Sequence, residues 1–194
     1  MTRAWWFGPP DNRLRYDDNR LVKPGLALSA PDGELVICQH GMHASKLPLV
    51  ALGFAPRDCV AWRVELQGEQ LHDVDKICAR TRLHLWAVED TAAVLRHFAR
   101  LCALDVVHLW NPPEIVLRYL KTGDESIPLV ADAAWVPSDA ASAALYARDA
   151  AWAAWAARAA RDAAWAARAA RAAARERQNA RLHRMLMTVE RRGG

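Results

Sequence analysis

The segment Cys38-Gln39-His40-Gly41-Met42-His43 brings one thiol and two imidazoles together. Those are donor types that a borderline-soft ion such as zinc accepts. A closed site needs a fourth ligand, and the other cysteines (Cys59, Cys78, Cys102) and histidines (His72, His84, His97, His108, His183) lie scattered along the chain. The segment therefore reads as structural, and no metal site is expected. Paired carboxylates occur at Asp17-Asp18, Asp73/Asp75 and Asp124-Glu125. All three pairs lie in turn-forming sequence, where acids are ordinarily solvated, so none is expected to do acid/base work. There is no GxSxG, no P-loop, no Rossmann glycine fingerprint and no HExxH, which removes several large enzyme classes.

The C-terminal third carries a different chemistry. Arg148-Asp149-Ala150-Ala151-Trp152-Ala153-Ala154 recurs as Arg161-Asp162-Ala163-Ala164-Trp165-Ala166-Ala167. Arg and Trp stand four residues apart in both copies, close enough on a helix for guanidinium to lie over indole. No Gly or Pro interrupts the chain from Ser138 to Gly193, and Ala, the best helix former, dominates it. One long helix is expected over residues 138–188, followed by a disordered end at 189–194. On a helical wheel, Leu145, Trp152 and Trp155 share one side, and Arg158, Arg161, Arg168, Arg171 and Arg175 form a stripe on the other that includes Trp165.

Each Trp buries about 150–250 Å² when packed, worth up to about 4–6 kcal/mol, so the three are expected to touch the body or a partner. Trp152, Trp155, Trp165 and those five Arg are thus the candidate contact residues. Their partner is a protein or a second copy of the chain, with nucleic acid as a further class for an Arg row beside stacking rings. The plain alternative is that the Arg stripe only solubilises the helix. The whole chain has 22 Arg against 4 Lys, so Arg abundance alone does not single the helix out.

The preceding residues must form whatever body positions these groups. Residues 5–7, 14–16 and 35–38 read as short strands among turns, and 47–55 as a short helix. Val60, Trp62, Val64 and Leu66 alternate as inward positions of a strand that Gly68 is expected to end. Residues 76–85 form another strand, polar on one face through Arg80, Arg82 and His84. Asp90-Thr91 caps an amphipathic helix bearing Leu95, Phe98, Leu101 and Cys102, and a further helix starts after Pro112-Pro113 and closes at Thr122-Gly123. The expected fold is α+β, with N-terminal strands followed by helices in a compact domain over 1–130 and the long helix appended.

Residues 1–137 hold 15 Lys/Arg against 17 acids, and residues 138–194 hold 11 Arg against 5. A weakly acidic body thus carries a basic tail. No stretch approaches the roughly 20 apolar residues of a membrane span, and no export signal opens the chain. With four dispersed cysteines expected as buried, reduced thiols, a cytoplasmic location in a host cell and no membrane partner are expected.

Gly41-Met42-His43-Ala44-Ser45, Ala51 to Pro56, Trp62-Arg63-Val64-Glu65-Leu66, Asp75-Lys76 and Ala79-Arg80 resemble, as an ordered set, an uncharacterised phage and prophage family. Its members carry a GLHAS or GFHAC segment, a VEL strand and a DK pair, and some end in Ala/Arg/Trp helices. Met42 stands where Leu or Phe is usual. The resemblance implies a phage setting. A more distant similarity, to ADP-ribosyltransferase-like folds, would carry a nicotinamide-clamping role to His43 and a nucleophile-orienting role to Glu65, with NAD as cofactor, although Glu65 lacks an ExE partner. The expectation is a phage accessory protein that acts by binding through its Trp/Arg helix, without a cofactor. An NAD-using transferase and a structural virion or oligomeric component are the alternatives.

Overall fold

The structure, a computed structural model, describes residues 1–16, 18–109, 112–124 and 168–190. Its elements in chain order are β1 (Thr2–Gly8), β2 (Ala27–Ser29), β3 (Met42–Ala44), α1 (Pro48–Leu52), β4 (Val60–His72), β5 (Ile77–Ala87), α2 (Thr91–Asp105), a 3-10 turn (Val107–Leu109), α3 (Glu114–Thr122) and α4 (Arg168–Glu190). Strands come first and helices follow, as an α+β fold requires. The chain divides into two compact units, Met1–Thr91 with Asn179–Gly194, and Ala92–Gln178.

In the first unit β1, β4 and β5 form an antiparallel sheet, and β5 pairs on its other side with both β2 and β3. Trp5 of β1 and Ser45, just past β3, then exchange both backbone hydrogen bonds at 2.8 and 3.0 Å. The sheet thereby curls back onto its first strand, which removes part of the exposed edge that an open sheet presents. The alternation on β4 holds: Trp62, Val64 and Leu66 are buried with Ala4, Met42, Ala44, Ile77 and Ala79, and Val60 packs beside them.

Several strand boundaries differ from the sequence reading. Residues 14–16 are not a strand; Leu14 and Val22 are buried anchors of a loop excursion whose ends meet through Leu14 N to Arg20 O and Val22 N to Asn12 O. Residues 35–38 form a turn, closed by Val36 and His40, with Cys38 at φ 67°. β4 runs past Gly68 to His72, because a register shift between Gln67 and Gln70 absorbs the extra residues as a bulge. Cys38 is exposed, against the expectation of buried thiols throughout.

Gly41 is required where it stands. Its φ is 136°, and a Cβ there would lie 2.2 Å from Cys78 Sγ and 3.1 Å from Leu35 Cδ2. Gly41→Ala is expected to destabilise the protein by about 2 kcal/mol or more, from backbone strain plus overpacking. Urea denaturation checks this; an unchanged midpoint would remove the constraint.

Of the expected Asp90-Thr91 cap of α2, the Thr91 hydroxyl accepts the Ala61 N–H at 2.9 Å and donates to the Val88 carbonyl at 3.1 Å, tying the helix start to β4. In the second unit Val116, Tyr119 and Leu120 of α3 cluster with Ala103 and Leu104 of α2. Gly123 closes α3 in the left-handed conformation, its N–H bonded to the Tyr119 carbonyl.

The C-terminal helix runs through Glu190, two residues beyond its expected end at 188. Its residues from Asn179 onward belong to the strand unit. Leu182 and Leu186 are fully buried, Asn179 Oδ1 accepts the Leu49 N–H of α1 at 3.0 Å, and the Trp5 indole N–H donates to His183 Nδ1 at 3.2 Å. Among the described residues no helix is long and apolar enough to cross a membrane.

Candidate functional site

The candidate contact residues Trp152, Trp155, Trp165, Arg158 and Arg161 lie outside the described residues. So does most of the expected helix, 138–167. Arg168, Arg171 and Arg175 fall within α4, and Arg175 is exposed.

A cleft of about 960 Å³ opens in the strand unit. Trp6 and Phe7 of β1, the loop excursion with Arg15, Tyr16, Asp18 and Arg20, the turn from Cys38 to Ser45, Phe54 after α1, and Lys76 and Arg82 line it. This is the size of a pocket for a drug-sized organic ligand, far larger than an inorganic ion needs. Arg15, Arg20, Lys76 and Arg82 face it with Asp18 as the carboxylate among the described lining residues. Arg20 grips Asp18 with two hydrogen bonds, Nε at 2.5 Å and Nη2 at 2.7 Å, which lowers the Asp18 pKa. Among the described lining residues the charge left over is positive.

Arg82 is the unusual member. It sits on β5 opposite Leu66 of β4 and Leu28 of β2, and its side chain is buried. Nε donates to His84 Nε2 at 3.1 Å, Nη1 donates to the His43 carbonyl at 2.7 Å, and the guanidinium lies over the Trp6 ring at 4.0 Å. No described carboxylate forms an ion pair with it. Burial pushes its pKa down to about 9, with the Asp18 charge opposing and that of Arg20 adding to the fall. The three supports hold the fork in one orientation without neutralising it.

The contacts assign the tautomer of His84. Nε2 accepts from Arg82, so the proton is on Nδ1 and is donated to the Leu26 carbonyl at 3.0 Å. Burial, and then the Arg82 charge, press the His84 pKa from 6.5 to about 4, while the bond to Leu26 opposes. As pH falls from 6.5 the unfolded chain takes up a proton that folded His84 refuses. Stability is therefore full above pH 6.5, declines down to about pH 4 and levels below it, by on the order of 3 kcal/mol for this group. Thermal midpoints from pH 7.5 to 4 check the slope, which His84→Gln is expected to flatten.

His43 is a positioning residue. Its Nε2 accepts the Cys38 N–H at 3.0 Å and its carbonyl holds Arg82. Burial first, then Arg82 and, more weakly, Lys76 lower its pKa against the bond to Gly41. Glu65 does not meet it: that carboxylate accepts from Gln67 Nε2 at 2.9 Å and is absent from the lining of the cleft. The two residues carried over from the transferase similarity are thus not brought into one site.

Cys38, His40 and His43 do not converge either. Cys38 Sγ contacts Lys76 Nζ at 3.2 Å, and His40 Nε2–H donates to the Pro31 carbonyl at 3.0 Å. Among the described residues no group of three His, Cys, Asp or Glu is placed to hold a metal. Arg82 and His84 were legible only as the polar face of a strand. Nothing in their spacing signals burial.

Comparison of the chain with family models, with curated proteins and with solved structures returns no match.

Proposed function

We propose that this protein is an accessory protein that acts by binding, in the phage setting that the resemblance implies, and that its strand unit is a receptor for an anionic organic ligand. One observation carries the reading: a buried guanidinium, fixed by two acceptors and an indole face, stands in the wall of a large cleft without a carboxylate partner among the described residues. Removing a guanidinium from water costs several kcal/mol unless an anion compensates it. A ligand phosphate or carboxylate supplies that compensation with charge-assisted, forked hydrogen bonds. The aromatic lining, Tyr16 and Phe54 at the mouth and Trp6 and Phe7 deeper, suits an organic body attached to the anion.

Calorimetric titration with methylphosphonate, inorganic phosphate and acetate tests the reading, with thermal midpoints alongside. Binding of at least one anion is expected, with a midpoint that rises with its concentration and a response lost in Arg82→Met. If no anion releases heat or moves the midpoint at millimolar concentration, the reading falls.

A further inference from the structure

We propose that the ligand of this cleft carries two anionic groups, one received by Arg82 and the other by Lys76, with the ligand's body lying past His43 between them. The inference rests on the anion-receptor reading and adds the ligand's class, a bis-anion, and its direction through the cleft.

Lys76 lines the same cleft as Arg82 but is held by weaker partners than an opposing carboxylate in hydrogen-bond contact. Its ammonium meets the Cys38 thiol at 3.2 Å, the Phe54 ring at 4.3 Å and the Asp75 carboxylate only at 3.6 Å. Asp75 Oδ1, buried and without a hydrogen bond, pairs with the ammonium only as an ion pair at 3.6 Å, beyond hydrogen-bond reach. A phosphate or carboxylate can displace the thiol, a poor acceptor, at little loss.

His43 links the two cations. Its carbonyl holds Nη1 of Arg82, and its ring accepts the backbone N–H of Cys38, whose thiol touches Lys76. Both positive charges depress its titration, so both lie within electrostatic reach of one imidazole. The remaining cations are already committed: Arg20 to Asp18 and the Ser29 carbonyl, and Arg15 to the Phe54 carbonyl and the Tyr16 ring. Arg82 and Lys76 are the two with most to gain from an anion. Two cations tied to one residue, Arg82 directly and Lys76 through Cys38, select for spacing between anions, because a second contact made within one ligand is intramolecular.

A ladder of alkane bisphosphonates, from methylene- to decamethylene-bisphosphonate, tests this against methylphosphonate by calorimetry. One intermediate length is expected to bind about tenfold or more tighter than methylphosphonate, with affinity falling on either side. Lys76→Met is expected to cost that bisphosphonate about tenfold more than it costs methylphosphonate, whereas Arg82→Met abolishes binding of both. Far-ultraviolet circular dichroism of each variant verifies folding, and Arg82→Gln serves where Arg82→Met does not fold. Methylphosphonate that binds while the ladder shows no optimum, or an optimum that Lys76→Met leaves intact, overturns the bis-anion inference and leaves the receptor reading standing. Failure of methylphosphonate and of every bisphosphonate overturns both.

Discussion

Ending the chain before Asn179 is expected to unfold the strand unit, although the deleted residues lie far in sequence from every strand. Leu182 and Leu186 are fully buried there, and Asn179 supplies an acceptor for Leu49 N–H, one of the donors that the first turn of α1 leaves without a partner within its helix. Trp5, itself fully buried, gives its indole proton to His183 and packs edge-on to that ring, with centroids 5.6 Å apart. Leu182→Ala and Leu186→Ala are each expected to cost about 2–5 kcal/mol, and Asn179→Ala about 0.5–2 kcal/mol. Typical domains have only about 5–15 kcal/mol in total, so the double leucine variant should approach or reach unfolding. Urea denaturation of the three variants and of the truncated chain measures this. A truncated chain with an undiminished cooperative transition would show that the helix is dispensable to the body.

Arg82→Met is expected to separate binding from stability. If the cleft receives an anion as proposed, charge-assisted hydrogen bonds from the guanidinium would be worth roughly 3 kcal/mol or more together, so anion affinity should fall by about a hundredfold or beyond. Stability should move far less. The substitution leaves the His84 Nε2 and His43 carbonyl acceptors without their donor, at about 1–3 kcal/mol each, but returns the several kcal/mol that desolvating the cation cost. The two contributions nearly cancel, and the thermal midpoint of the ligand-free variant should stay close to that of the parent. Equal phosphate affinity in parent and variant would remove Arg82 from the site.

The parts of the fold legible in the chain were those whose pattern is local. Trp62, Val64 and Leu66 alternate because β4 packs against the core from one side, and α3 ends at Gly123 because only a residue at ease with φ 70° continues the chain there. Residues 14–16 and 35–38 have strand-like composition, yet neither finds a ladder partner of strand length; each is closed by one short bridge instead. β2, only Ala27–Ser29, has too little sequence to declare itself and exists through its pairing with Thr81–Leu83.

Arg80, Arg82 and His84 form the polar face of β5, and a polar face is ordinarily turned to water. Here Arg80 meets the Pro31 and Gly33 carbonyls and the partly exposed Glu69, whereas Arg82 and His84, two and four residues on, are enclosed among Leu28, Leu66, Trp6 and Trp62. What meets them is β2 with the preceding Leu26 carbonyl and β3 with the His43 carbonyl, brought over by pairings between residues tens of positions apart. His43, to which the transferase similarity would carry a clamping role, accepts the Cys38 N–H through its ring and Arg82 through its carbonyl. Glu65, singled out with it, faces elsewhere.

By itself the sequence determined the α+β class, the alternation of β4, the close of α3 at Gly123 and the helical character of residues 168–188, because each depends on backbone preferences and periodicities spanning a few residues. Only the tertiary structure decided that the last turns of that helix complete the strand unit, that the sheet closes through Trp5 and Ser45, and that Arg82 is an enclosed cation in a cleft. Those outcomes depend on which distant surfaces meet, and burial turns the same guanidinium from a solvated surface charge into one held by the His84 ring, the His43 carbonyl and the Trp6 face.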